Sequence, residues 1–312
     1  MPKLLLVLLL WSSALPAADY VFSPALPDAE PEVGQVLALA SAGDRLLMAG
    51  ERGLIAWSDD NGKSWQQARV PVSQTLTALS FPSEEQGWAV GHGGVILHTG
   101  DGGESWQLQF DGESANKQWL GKTQRKQTEL EKLLGISPPD ETEDLEYELE
   151  EVLYEIEDTE LALKSGPADP FLDVWFADQQ RGWAVGAYGL LFSTTNGGLQ
   201  WELATAGIEN SERYHYYRVV GSDSGTMYLS GEAGIIYRSD DGGESWQRLP
   251  LDYDGSLFGV IATSESGVVC FGLRGNIFRS DDRGETWSSV TPADDPGFSF
   301  YGGERLDGGN IV

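Results

Sequence analysis

The stretch Gly87-Trp88-Ala89-Val90-Gly91-His92-Gly93-Gly94-Val95-Ile96-Leu97-His98-Thr99-Gly100-Asp101-Gly102-Gly103-Glu104-Ser105-Trp106 decides the fold. It holds two short apolar runs divided by a Gly-x-x-Gly turn, and it closes on an octet of the form Ser/Thr-x-Asp-x-Gly-x-x-Trp. The octet recurs at Ser58 to Trp65, Thr194 to Trp201, Ser239 to Trp246 and Ser280 to Trp287. Its acidic position is Asp60, Asp101, Asp241 and Asp282, with Asn196 in the third copy, and its last residue is Trp65, Trp106, Trp201, Trp246 and Trp287. The glycine pair recurs too, at Gly50/Gly53, Gly186/Gly189, Gly231/Gly234 and Gly272/Gly275, and its second member always precedes the octet Trp by 12 residues.

Runs such as Val95-Ile96-Leu97, Leu190-Leu191-Phe192 and Ile235-Ile236-Tyr237 between turn residues read as strands. Each unit is therefore a four-stranded meander. Successive octet tryptophans are 41, 95, 45 and 41 residues apart, which is the length of a propeller blade with one long insertion. The Asp or Asn suits a turn that accepts backbone hydrogen bonds, Gly supplies positive φ, and Trp packs between neighbouring sheets. The expected class is all-β: a propeller of five complete blades and part of a sixth, interrupted by a helical hairpin.

Residues 1–18 combine Lys3, an uncharged run from Leu4 to Trp11 and a small-residue zone ending near Ala17 or Ala18, the pattern of a cleaved export signal. The apolar run is too short to span a bilayer, no Cys follows it for a lipid anchor, and a periplasmic or otherwise exported location is expected. The formal charge of −29 argues against nucleic acid and against direct membrane association. The single Cys270 lies in an apolar run and reads as a buried strand residue. No His-x-x-x-His or paired-Cys spacing occurs, so neither a metal nor any cofactor is implied; the octets read as structural turns rather than Ca²⁺ loops.

The chain divides into the leader 1–18, blades 1 and 2 over 19–110, the insertion 111–170, and blades 3 to 5 with part of a sixth over 171–312. Within the insertion, Asn116 to Gly135 holds five basic residues, and Glu141 to Lys164 places Leu145, Leu149, Val152, Leu153 and Ile156 at helical spacing. Twelve acids and no base lie between Asp140 and Glu160, so the first helix partly neutralises the second. Either a self-contained hairpin or a partner-docking arm fits. The end of the chain, Asp307 to Val312, aligns with the start of a second strand and reads as a blade cut in its middle, with Tyr20-Val21-Phe22 a candidate outer strand.

The octet is similar to the Asp-box, or bacterial neuraminidase repeat. The phrases Gly87-Trp88-Ala89-Val90-Gly91 and Gly182-Trp183-Ala184-Val185-Gly186 resemble the photosystem II stability and assembly factor family over roughly residues 33–110 and 168–312. That resemblance implies a seven-bladed Asp-box β-propeller without enzymatic activity, binding a protein partner and aiding assembly or operation of a membrane complex. The chain departs from the family in its long insertion and its few arginines.

In such a meander the Gly-x-x-Gly turns open on one face together with the connections between blades, and the octets lie on the other. The candidate partner-binding residues on that mouth face are Arg52, His92, Tyr188, Glu232 and Arg274 from the turns. Tyr214, His215, Tyr216 and Arg218 come from the connection Arg213 to Arg218, and Tyr253 from its neighbour. Arg, His and Tyr clustered on a mouth suit recognition of a peptide or protein loop. The competing readings are a glycoside hydrolase of the sialidase type, with Glu232 and Asp254 as carboxylates, or a glycan-binding module. The sialidase Arg-Ile-Pro phrase is missing and arginines are few, so no catalytic residue is assigned.

Overall fold

The computed structural model describes residues 23–27, 31–138, 142–166, 169–205, 207–208, 210–222, 224–290 and 297–303. The expected leader over 1–18, the run Tyr20-Val21-Phe22 and the segment Asp307 to Val312, in which the start of a second strand is expected, lie outside the described residues. Among those described, five four-stranded antiparallel sheets follow one another along the chain. The first comprises β1 (Val36–Ala42), β2 (Arg45–Gly50), β3 (Ile55–Ser58) and β4 (Gln66–Gln67), and the second β5 (Leu76–Ser80), β6 (Gly87–Gly91), β7 (Ile96–Thr99) and β8 (Gln107–Phe110). Two helices then intervene, α1 (Gly112–Leu134) and α2 (Glu143–Ser165). The third sheet is β9 (Phe171–Phe176), β10 (Gly182–Gly186), β11 (Leu191–Thr194) and β12 (Glu202–Leu203). The fourth is β13 (Tyr216–Gly221), β14 (Met227–Gly231), β15 (Ile236–Ser239) and β16 (Gln247–Arg248), and the fifth β17 (Gly259–Ala262), β18 (Val268–Phe271), β19 (Ile277–Ser280) and β20 (Ser288–Ser289). The first strands of successive sheets pack on one another, β1 on β5, β5 on β9, β9 on β13 and β13 on β17, which makes the arrangement propeller-like.

The repeated residues account for this geometry. At the first Gly of each pair a Cβ would meet a backbone oxygen, that of Thr75 at 2.1 Å from Gly91 and that of Pro170 at 2.2 Å from Gly186, so the turn can close on its own first strand only without a side chain. In the octets the acidic oxygen gathers the turn: Asp60 Oδ1 accepts from Ser64 N at 2.9 Å and Oδ2 from Ser64 Oγ at 2.7 Å. Asn196 Oδ1 accepts the same backbone bond from Gln200 at 2.9 Å, so the turn needs the oxygen and not the charge. Trp106, Trp201 and Trp246 are buried with residues of both their own and the preceding sheet. Trp88 stacks on Phe176 of the next sheet, ring centroids 3.6 Å apart, and its indole donates to Gln109 Oε1. Cys270 sits fully buried in β18, and burial pushes its thiol far up.

Helix α1 starts four residues before the basic segment Asn116 to Gly135 because Asp111 caps it, accepting from Ser114 N at 2.8 Å. The helices lie against each other, Leu130, Val152 and Thr159 are buried, and Lys126 pairs with Glu148 at 2.7 Å. Among the described residues no helix is long and apolar enough to cross a membrane.

Candidate partner-binding face

Each Gly-x-x-Gly turn hydrogen-bonds to the residue that enters its own first strand: His92 N to Thr75 O, Ala187 N to Pro170 O, Glu232 N to His215 O and Leu273 N to Ser256 O. Turns and blade connections therefore form one face, and the octets, at the other ends of the same strands, form the opposite one. The middle residue of each turn is left-handed, with φ of 57° at Arg52, 54° at Tyr188 and 58° at Arg274. That conformation is uncommon outside glycine, and here all three side chains are exposed.

Tyr188, His215 and Glu232 come together. The Tyr188 N–H donates to His215 Nδ1 at 3.1 Å and the two rings meet edge to face at 4.8 Å, while Glu232 accepts from the His215 N–H at 3.0 Å. From His215 the ring contacts continue to Tyr217 at 6.3 Å, from Tyr217 to Phe258 at 5.1 Å, and from Phe258 to Tyr301 at 4.6 Å. In the other direction the Arg213 guanidinium lies 5.5 Å from the Tyr188 ring and 6.0 Å from the Trp119 ring of α1. An aromatic ladder thus crosses the mouth from the inserted helix to the fifth sheet, with Tyr188 45% and Tyr301 73% exposed.

Charge is concentrated where the arm meets this ladder. Arg213 pairs with Asp158 of α2 at 3.4 Å. Burial pushes the Asp169 carboxyl up, and Arg213 and His215 oppose the shift. Burial lowers Lys122, whose ammonium lies over Trp119 at 4.7 Å and donates to Thr205. The Trp119 indole donates to Glu155 at 2.7 Å.

Other candidates fall elsewhere. Tyr216 is 1% exposed and packs with Trp183, Leu229 and Tyr237, so it is a core residue and not a mouth contact. Tyr214 is half-buried against the same core. Arg218 pairs at 3.6 Å with Asp173, whose carboxylate also accepts from Val219 N at 2.9 Å and is raised by burial, with Arg218 opposing; the pair bridges β9 and β13. Tyr253 is held by its ring against Phe278 and by its hydroxyl donating to Leu273 O at 3.2 Å. Among the described residues no hydrogen bond or ring contact joins Arg52, His92 or Arg274 to the ladder. Two shallow depressions, lined by Ala177 to Arg181 and by Arg248 to Asp252, include neither Glu232 nor Asp254.

The sequence patterns single out neither Trp119, Phe258 nor Tyr301, and contain Tyr217 only as part of the connection Arg213 to Arg218. A second ruler was available for two of them. In four of the five pairs the residue 15 before the first Gly is Leu76, Phe171, Tyr216 or Leu257, all at most 1% exposed, whereas the first pair has the exposed Gln35 there. The next residue faces the opposite way, which sends Tyr216 inward and Tyr217 and Phe258 to the mouth.

A family described as "Photosynthesis system II assembly factor YCF48" matches residues 36–120 and 155–304, about three quarters of the chain. The chain is 30% identical over 81 residues to "Photosystem II assembly lipoprotein Ycf48" of Synechococcus sp. (strain CC9902), covering 26% of this chain and 24% of that protein. It is 38% identical over 48 residues to "Photosystem II stability/assembly factor HCF136, chloroplastic" of Cyanidioschyzon merolae (strain NIES-3377 / 10D), covering 15% and 11%. The matched segments thus span at most about a quarter of these relatives. A crystal structure of an ancestral GH74 enzyme superposes with a TM-score of 0.56 at 16% identity, over 86% of this chain and 32% of that one; this likeness is of fold. The repeat on both sides of the arm carries the family match, and the chain belongs to the Photosynthesis system II assembly factor YCF48 family.

Proposed function

We propose that the chain is an exported, non-enzymatic scaffold that holds a protein partner on its mouth face while a membrane complex is assembled or operates. The observation that carries this reading is the family match on both sides of the arm, since both relatives are named for assembly or stability of such a complex. The ladder Tyr188, His215, Tyr217, Phe258 and Tyr301, with Arg213 beside it, is the proposed contact. Aromatic rings and Arg in a partly desolvated strip are the residue types that dominate binding energy. Export to the periplasm or an equivalent compartment follows from residues 1–18, and a full ring of seven blades built on Asp-box turns from the family. Glu232 accepts the His215 N–H and neither depression includes Glu232 or Asp254, which disfavours the hydrolase reading.

Affinity purification from envelope membranes tests the proposal. Wild type is expected to recover a defined membrane-protein subunit, and Tyr188→Ala with Phe258→Ala to recover at least tenfold less. Recovery of no specific membrane partner by wild type refutes it. Aryl-glycoside turnover abolished by Glu232→Gln or Asp254→Asn would replace it with a hydrolase.

A further inference from the structure

Helix α2 carries two apolar ridges on opposite sides. Leu145, Leu149, Val152 and Ile156 form the side turned to α1, where Val152 is 3% exposed. Tyr147, Tyr154 and Leu161 form the other, and they are 67%, 63% and 60% exposed. Their spacing of seven residues keeps three side chains in one line along a helix, about half a turn around from Val152. Fourteen residues at 1.5 Å each make this line roughly 21 Å long. Glu150 and Glu157 flank it on one side, Glu151 and Asp158 on the other. Among the described residues, Glu150, Glu151 and Glu157 take part in no ion pair.

An exposed Tyr or Leu alone needs no explanation. Three of them in register, framed by acids on both sides, make a recognition stripe. We propose that this face docks a cationic amphipathic helix of a protein partner, whose apolar residues lie over Tyr147, Tyr154 and Leu161 and whose Lys or Arg side chains meet the flanking carboxylates. Charge selects this occupant. A second copy would set twelve acids against twelve, and an anionic bilayer is repelled for the same reason. The family match stops at residue 120 and resumes at 155, so Tyr147 and Tyr154 belong to a stretch the family does not describe. The stripe lies on α2, adjoining the mouth only where Asp158 pairs with Arg213, and its reading does not depend on the mouth's role.

The probe is a labelled 21-residue synthetic helix with Leu at heptad positions a and d and Lys at e and g, titrated by fluorescence anisotropy against the full chain at 0.15 M salt. The controls are the same helix with Glu for Lys, and a scrambled peptide of equal composition. The Lys helix is expected to bind with a micromolar Kd, the controls not to bind, and the variant Tyr147→Ser, Tyr154→Ser, Leu161→Ser to bind at least tenfold more weakly with its helicity unchanged by circular dichroism. The mouth variant Tyr188→Ala is expected to keep full affinity for the probe, which separates failure of this inference from failure of the mouth reading. No binding by wild type, equal binding to the triple variant, or equal binding of the scrambled peptide overturns the proposal. So does a concentration-dependent dimer that the triple variant abolishes, because it would assign the face to a second copy.

Discussion

Replacing Gln118 by Leu should loosen the hold of the inserted arm on the edge of the third sheet. The Gln118 side-chain amide donates to Trp201 O at 2.7 Å and its oxygen accepts from Leu203 N at 3.1 Å. One side chain of α1 thus pairs with the backbone at the edge strand β12 as a neighbouring strand would. Each such bond contributes about 0.5–1.5 kcal/mol net, so losing both costs about 1–3 kcal/mol. Leu fills similar space, and the loss falls on the two backbone groups left without partners.

Native-state hydrogen exchange at the Leu203 amide reads this directly. With RT near 0.59 kcal/mol, a loss of about 1–3 kcal/mol corresponds to exchange faster by about 5- to 150-fold. Gln118→Glu keeps an acceptor for the Leu203 N–H but sets a carboxylate against the Trp201 carbonyl, so Leu203 protection should stay within a few fold of wild type. Unchanged exchange in Gln118→Leu would refute the reasoning, since it would mean that the amide is protected by something other than the arm.

The carboxyls of Asp60, Asp241 and Asp282 are pulled down to about 2 by hydrogen bonds, the largest effect in each being the hydroxyl of Ser64, Ser245 or Thr286. These values lie below the unfolded value of about 3.9, so the groups stabilise the fold above pH 4 and lose that contribution as pH falls through 2. A triple Asp→Asn variant should therefore show a flatter fall of its urea midpoint between pH 4 and 2, and parallel curves would contradict this. Arg274→Gly removes the left-handed strain of a non-glycine residue and should raise the unfolding midpoint, by at most about 1 kcal/mol after the entropic cost of glycine; a lowered midpoint argues against strain there. Tyr216→Ala should destabilise by about 3–5 kcal/mol in denaturant unfolding and Tyr216→Leu by clearly less, since Leu76 and Leu257 fill the matching sites; equal costs would contradict the core assignment.

The strands were legible because glycine pairs and octets sit at fixed intervals, and each constrains the backbone by itself. The first Gly of a pair has a carbonyl oxygen where its Cβ would be, and the octet Asp binds its own turn whichever blade carries it. The mouth was less legible because its contacts join different repeats. Tyr217 touches Phe258 across two sheets, and no spacing within one unit records that. Tyr216 was misplaced for a local reason: a run of polar aromatics resembles a loop, yet the strand begins at Tyr216 and alternation turns it inward. Trp119 is hidden because the segment Asn116 to Gly135 stands out by its five basic residues, and Gln118 because a polar residue on a helix carries no sign that it completes a sheet edge.

The link between the mouth and the arm is asymmetric. Helix α1 is held to the third sheet by the paired bonds of Gln118 and by Lys122 donating to Thr205 at 2.8 Å. Helix α2 reaches the mouth through the ion pair of Arg213 with Asp158 at 3.4 Å, in which Asp158 is 71% exposed, and such an exposed pair is worth about 0–1 kcal/mol. The arm's position over the blades is therefore set by α1, and α2 follows by packing on it. Asp158, at one end of the outer face of α2, is paired with Arg213, while Tyr147, Tyr154 and Leu161 along that face stay exposed. Asp158 lies one turn from Leu161, so the acidic stripe ends beside Arg213 and the Tyr188 ladder begins there. A partner contacting both would meet one continuous surface, apolar along its centre, negative along the arm and bearing Arg213 at the junction.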